Sequence, residues 1–180
     1  DKAIELNPNY AKAYNNRGIA YYELGQNERA IQDFNKAIEL NPNLDVVYKN
    51  RGTSYSDLGQ YERAIQDFDK AIELNPAYAM AYNNRGVAYS KLEQYEQAIQ
   101  DFDKSIQFNP NDANTYKNRG CSYALIGNFK KAIFDISKAI ELEPNNAYLY
   151  HLRGICYEEL GDKAKAQADF AKAKELGYNG

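Results

Sequence analysis

Apolar residues recur along the chain at three- and four-residue intervals, in stretches of about 13 residues with polar positions between them. That spacing puts the apolar groups on one face of an α-helix. Successive stretches are joined alternately by Leu-Gly-Gln-type turns, such as Leu24-Gly25-Gln26, and by Asn-Pro or Glu-Pro. A proline cannot continue the hydrogen-bond ladder, so the predicted order is helix, glycine turn, helix, proline turn. Gly25, Gly59, Gly127 and Gly161 stand where a first helix should end in a left-handed cap. Glu93 takes that place once, which predicts a strained turn there at a cost of about 1 kcal/mol.

The prolines stand at Pro8, Pro42, Pro76, Pro110 and Pro144, each 34 residues after the last. Such a period marks an array of repeats. Aligned on it, the chain reads as five units, 11–44, 45–78, 79–112, 113–146 and 147–180, after a fragment, 1–10. The eighth place of every unit is glycine (Gly18, Gly52, Gly86, Gly120, Gly154), and the fourth and eleventh are tyrosine, as in Tyr14 and Tyr21. Alanine recurs at the twentieth place, from Ala30 to Ala166, followed four residues later by Phe34, Phe68, Phe102, Ile136 and Phe170. A glycine within a helix costs roughly 0.5–1 kcal/mol relative to alanine, so its recurrence at one place predicts a close approach between the paired helices.

This set resembles the tetratricopeptide repeat family over the whole chain. Tyrosine stands at the fourth place where the family usually has tryptophan, and arginine at the seventh where it usually has leucine. Pentatricopeptide repeats, helical relatives that read RNA, have a longer period and a basic groove, which this chain does not match. The resemblance implies an all-α fold, a right-handed α-solenoid of helix-turn-helix units whose apolar faces are buried only by stacking on neighbours. The ends should then differ from the middle. Isoleucine at places twenty-one and twenty-eight of four units gives way to Gln167 and Lys174 in the fifth, which reads as a polar capping helix. The segment 1–10 matches the close of a second helix, and reads as the end of a truncated upstream repeat.

Composition narrows the partners. The net charge of -3 withholds the field that draws a protein to nucleic acid or anionic lipid. No apolar run approaches the roughly 20 residues needed to span a bilayer. Cys121 and Cys156 lie in no metal-ligand spacing and read as reduced thiols of an intracellular, cytoplasmic protein. No cofactor motif is present, and His151 has no motif-placed nucleophile beside it, so the sequence points away from an enzyme.

Function should therefore lie on the surface that stacking leaves open. A wheel of about 100° per residue puts places two, five, six, nine, twelve and thirteen of each first helix on the concave side. Asn16, Asn50, Asn84 and Asn118 form a row of amides there, whose donors and acceptors suit an extended peptide backbone. The row looks like the asparagine ladder of some tetratricopeptide arrays. These amides also suit ties between adjacent first helices, and the sequence leaves both readings open. Lys12, Asn15, Asn83, Tyr22 and Tyr148 complete the candidate peptide groove with Lys49 and Lys117. The last two resemble the first lysine of the carboxylate clamp in chaperone-binding members. Thr53 and Cys121 stand where that clamp needs asparagine, so a chaperone-tail receptor is the lesser alternative.

Arginine recurs at the seventh place (Arg17, Arg51, Arg85, Arg119, Arg153) and aspartate at the twenty-third (Asp33, Asp67, Asp101, Asp135, Asp169). A guanidinium on the buried side of a helix needs such a partner, so these read as structural ion pairs between helices. Whether each arginine uses the aspartate of its own unit or of a neighbour is open. The expected function is a non-enzymatic scaffold binding a protein or peptide in extended conformation. The alternative is a self-assembling array, in which copies stack head to tail.

Overall fold

The computed structural model describes residues 2–179, so Asp1, which opens the first fragment, and Gly180, which closes the fifth unit, lie outside the described residues. All secondary structure among them is helical. The chain divides into two compact units, Asp1–Leu92 and Glu93–Gly180. The first holds α1 (Lys2–Leu6), α2 (Ala11–Glu23), α3 (Asn27–Leu40), α4 (Asp45–Asp57), α5 (Tyr61–Leu74) and α6 (Ala79–Lys91). The second holds α7 (Tyr95–Phe108), α8 (Ala113–Leu125), α9 (Phe129–Leu142), α10 (Ala147–Glu159) and α11 (Lys163–Glu175). Within each, consecutive helices pack on one another, α2 through α6 in one unit and α7 through α11 in the other.

The glycine turns close by one hydrogen-bond pattern. Gly25 N–H donates to the Tyr22 carbonyl at 2.8 Å and Gln26 N–H to the Tyr21 carbonyl at 2.9 Å, with Gly25 at φ 71°. This is a Schellman cap, and its left-handed residue is why glycine stands there. The third repeat sets Glu93 in the same conformation, at φ 61°. The pattern also closes α11, through Gly177 and Tyr178, where the proline period offers no hint of it. Second helices end differently. Asn41 leaves α3 in an extended conformation ahead of Pro42, as a residue before proline must.

Between the paired helices lies the aromatic of place twenty-four. Phe34 and Phe68 are fully buried, flanked by Ala30 and Ala37, and by Ala64 and Ala71. A Cβ on Gly18 would stand 2.6 Å from the Phe34 ring, and one on Gly154 would stand 2.5 Å from Phe170. The recurrent glycine therefore makes room for the ring, more than for the alanine opposite. Gln167 and Lys174 are exposed on α11.

Candidate functional site

Each first helix exposes the side turned away from its own second helix, and in the first unit three such helices, α2, α4 and α6, share side-chain contacts. Lys49 Nζ donates to Asn50 Oδ1 at 2.5 Å, Asn50 Nδ2 donates to Asn15 Oδ1 at 3.0 Å, and Asn15 Nδ2 donates to Asn16 Oδ1 at 3.4 Å. Asn15 and Asn50 are 8% and 9% exposed, so these bonds satisfy groups that water scarcely reaches. Asn84 Nδ2 donates to Thr53 Oγ1 at 3.2 Å while its Oδ1 accepts from Asn83 Nδ2 at 3.2 Å. The amides thus link α2 to α4 and α4 to α6, and Asn16 and Lys12 remain exposed at the edge.

Two adjoining hollows open along this line. One, of about 240 Å³, is lined by Ile19, Tyr22, Glu23, Phe34, Lys49, Asn50 and Thr53. The next, of about 140 Å³, is lined by Thr53, Ser56, Asp57, Phe68, Asn84 and Val87. Each has a buried phenylalanine as its floor and hydrogen-bonding groups on its walls. Burial pushes the Tyr22 phenol up to about 12, and its hydrogen bond to the Asp57 carboxylate and that residue's charge add to the rise. Burial also lowers the Lys49 pKa. Thr53, Ser56 and Asp57 were legible as facing residues from the wheel. Their enclosure of a hollow with Phe68 was not.

In the second unit the lysine of the same place bonds otherwise. Lys117 Nζ donates to Asn114 Oδ1 at 3.0 Å, and Asn118 is half-buried. Cys121 is half-buried and Cys156 buried, and the thiols are pushed up by desolvation, Cys156 to about 11. Tyr148 and His151 meet a partner that the sequence did not announce. The Tyr178 ring stacks on His151 at 4.4 Å and approaches Tyr148 at 6.0 Å, while His151 also meets Phe170 at 5.6 Å. The signal was a break in the period, since Tyr178 stands where the other units have proline.

The arginines answer the question of partner. Arg17 donates through Nε and Nη2 to Asp33 at 2.7 and 2.8 Å, and Arg51, Arg119 and Arg153 clasp Asp67, Asp135 and Asp169 in the same fork. The aspartate is that of the same repeat. The remaining nitrogen reaches back to the preceding second helix: Arg51 to Asn35, Arg85 to Asp69, Arg119 to Asp103, Arg153 to Ser137. Tyr14 and Tyr21 flank the Arg17 guanidinium at 5.6 and 5.9 Å, a cation-π setting repeated at Arg85 and Arg153. Asp101 is buried on α7.

Among the described residues, no group of three or more His, Cys, Asp or Glu is placed to hold a metal ion, and no helix is long and apolar enough to cross a membrane.

Comparison with protein families finds tetratricopeptide repeat models at residues 11–44, 79–112 and 113–146, and at 34–66 and 136–168, with a further TPR repeat model at 52–93. Comparison with curated proteins gives no match. Among solved structures, MamA is similar at 28% identity and a TM-score of 0.83, over 88% of this chain and 93% of that one. MamA from Desulfovibrio magneticus, from residue 41 onward, is 27% identical with a TM-score of 0.86, over 92% and 94%. YrrB, described as a TPR protein with an unusual peptide-binding site, is 26% identical with a TM-score of 0.79, over 98% and 91%.

Proposed function

Because the chain belongs to the tetratricopeptide repeat family, we propose that it is a non-enzymatic protein-interaction scaffold that holds an extended peptide along its first helices. The observation that carries this reading is the pair of hollows sharing Thr53, each with an aromatic floor and polar walls. Side chains of a ligand enter the hollows, and its backbone meets amides and hydroxyls on their rims. Tyr22, Lys49 and Asn84 touch the ligand, joined by Asn16, Asn83 and Lys12 at the edge. Asn15 and Asn50 fix the spacing of α2 and α4 beneath it. In the second unit Lys117, Asn118 and Tyr148 are the corresponding contacts. The similarity to YrrB, described as a TPR protein with an unusual peptide-binding site, supports peptide as the class of ligand.

The test is selection of peptides from a random display library on the whole chain, followed by fluorescence anisotropy of the selected sequences. Lys49→Met and Asn84→Ala should each weaken binding by about tenfold, near 1.4 kcal/mol, with unchanged helical circular dichroism. Selected peptides that bind both variants as tightly as the parent would remove the groove from the account.

A second reading, association between copies, is favoured by the exposed apolar side chains of Leu6 and Tyr10. Sedimentation would show a mass that rises with concentration and returns to the monomer in a Leu6→Ser, Tyr10→Ser variant.

A further inference from the structure

The fourth repeat departs from its neighbours on a surface that the groove does not use. Second helices α3, α5 and α7 carry Glu28, Glu62 and Glu96 in the first turn, where the helix dipole favours an acid. α9 and α11 carry no acid there. They open on Lys130 and Lys131, and on Lys163 and Lys165, all exposed. Lys131 and Lys165 keep the place of Arg29 and Arg63 and, like them, lie over a tyrosine of the paired first helix, whereas Lys130 and Lys163 only oppose the dipole, and folding gives no reason for them. One turn along α9 from Lys130, on the same face, Phe134 is 70% exposed where three repeats have Gln32, Gln66 and Gln100. Folding gives no reason for that ring either.

Lys130 also stands at the rim of a wide-open hollow of about 400 Å³ within the second unit, lined by Ile126, Phe129 and Leu160. Ile126 and Leu160 are 41% and 45% exposed. The acids nearby are Glu158 and Glu159, exposed at the close of α10 on places that the wheel turns to the concave side, and Asp162. Asp162 is engaged by Lys165 at 2.7 Å, and Lys131 lies over the Tyr123 ring at 5.1 Å. Lys130 and Lys163 have no ion-pair partner among the described residues.

We propose that this surface is a second docking site, and that it takes an acidic segment of a partner protein bearing an aromatic or aliphatic side chain. The segment's carboxylates meet Lys130, Lys131 and Lys163, and its apolar group covers Phe134 and enters the hollow between Ile126 and Leu160. Charge complementarity selects the acid, and the apolar walls select the side chain beside it. A long polyanion is a poorer occupant, because the chain as a whole carries a net charge of -3 and repels it at range.

The test uses the whole chain and a short fluorescein-labelled peptide of Asp and Glu carrying one Phe and one Leu, followed by anisotropy at low and high salt. Lys130→Glu with Phe134→Gln restores the residue types of the first three repeats, so the variant should fold at least as well as the parent. Its affinity should fall at least about tenfold, and added salt should weaken the parent's binding. Tyr22→Ala, in the groove, should leave that binding unchanged. The proposal is overturned if the double variant binds the peptide as the parent does, or if Tyr22→Ala abolishes binding. It is equally overturned if phosphatidylserine vesicles are bound while the peptide is not, or if the double variant loses only a concentration-dependent self-association.

Discussion

Arg119 shows what the repeated arginine does for the fold, and replacing it with methionine isolates that role. The guanidinium is 16% exposed, donates in a fork to Asp135 at 2.8 and 2.7 Å, and reaches Asp103 at 2.5 Å. Burial opposes its charge, but the hydrogen bonds to Asp135 and Asp103 and their charges outweigh that, and its pKa is raised. The two carboxylates are unequal partners. Asp135 is 1% exposed on α9, whereas Asp103 is 52% exposed on α7. Arg119→Met keeps most of the side-chain stem but leaves Asp135 charged and unpaired where water cannot reach it. Breaking such a pair from one side costs about 3–5 kcal/mol. Asp103→Asn disturbs only an exposed contact and should cost about 0–1 kcal/mol. Arg119→Met with Asp135→Leu removes both charges, so it should cost less than Arg119→Met alone.

Urea unfolding followed by circular dichroism gives the order, provided the slope m is the same for all variants, since repeat arrays can lose single-step unfolding. The reasoning is refuted if Asp103→Asn costs as much as Arg119→Met, or if adding Asp135→Leu deepens the loss. Either result would mean that the cost follows contact with the preceding helix and not the burial of an uncompensated carboxylate.

Three further outcomes follow from other features. Glu93→Gly relieves a side chain held at φ 61° and should stabilise the chain by about 1 kcal/mol, a rise in melting temperature of about 2–4 °C. Gly154→Ala sets a Cβ 2.5 Å from the Phe170 ring and should cost about 1–3 kcal/mol in urea unfolding, with part recovered by Phe170→Leu. The Tyr22 phenol, raised in the folded chain from 10.0 to about 12, holds its proton where the unfolded chain has released it. Its contribution to stability is therefore present below pH 10 and is lost as pH rises through about 12. NMR titration of ¹³C-labelled tyrosine should place this midpoint, and Asp57→Asn should lower it in part only, because burial is the larger cause.

Much of the fold was legible because its determinants are local. Glycine at a left-handed cap, proline after an extended asparagine, and alanine four residues before an aromatic each act within one or two helical turns, and each recurs at a fixed place. Such features repeat in sequence because they repeat in conformation. Tyr178, Lys130 and Phe134 were harder to read for the opposite reason. Each is a single departure from the repeat, and only the structure shows that one ring turns back onto His151 while the other two residues stand in solvent.

The contacts between elements were hidden by a symmetry of the period itself. Arg51 lies 16 residues before Asp67 and 16 residues after Asn35, and it binds both. Sequence separation could not choose between them, and the guanidinium, with donors on two edges, does not have to choose. The same periodicity misleads in the groove. Aligning like places set Asn16, Asn50, Asn84 and Asn118 opposite one another, yet Asn50 bonds to Asn15 and Asn84 to Thr53. Adjacent first helices thus meet out of register, each amide bonding to a residue from a different place in the preceding repeat. An amide has two donors and an acceptor, so at Asn50 a bond to Asn15 and one from Lys49 still leave a second N–H. The two readings that the sequence left open, tie between helices and grip on a ligand, are therefore compatible in one residue. One N–H of the amide ties α4 to α2, its oxygen accepts from Lys49 on the same helix, and the second N–H can be presented at the hollow whose wall that residue forms.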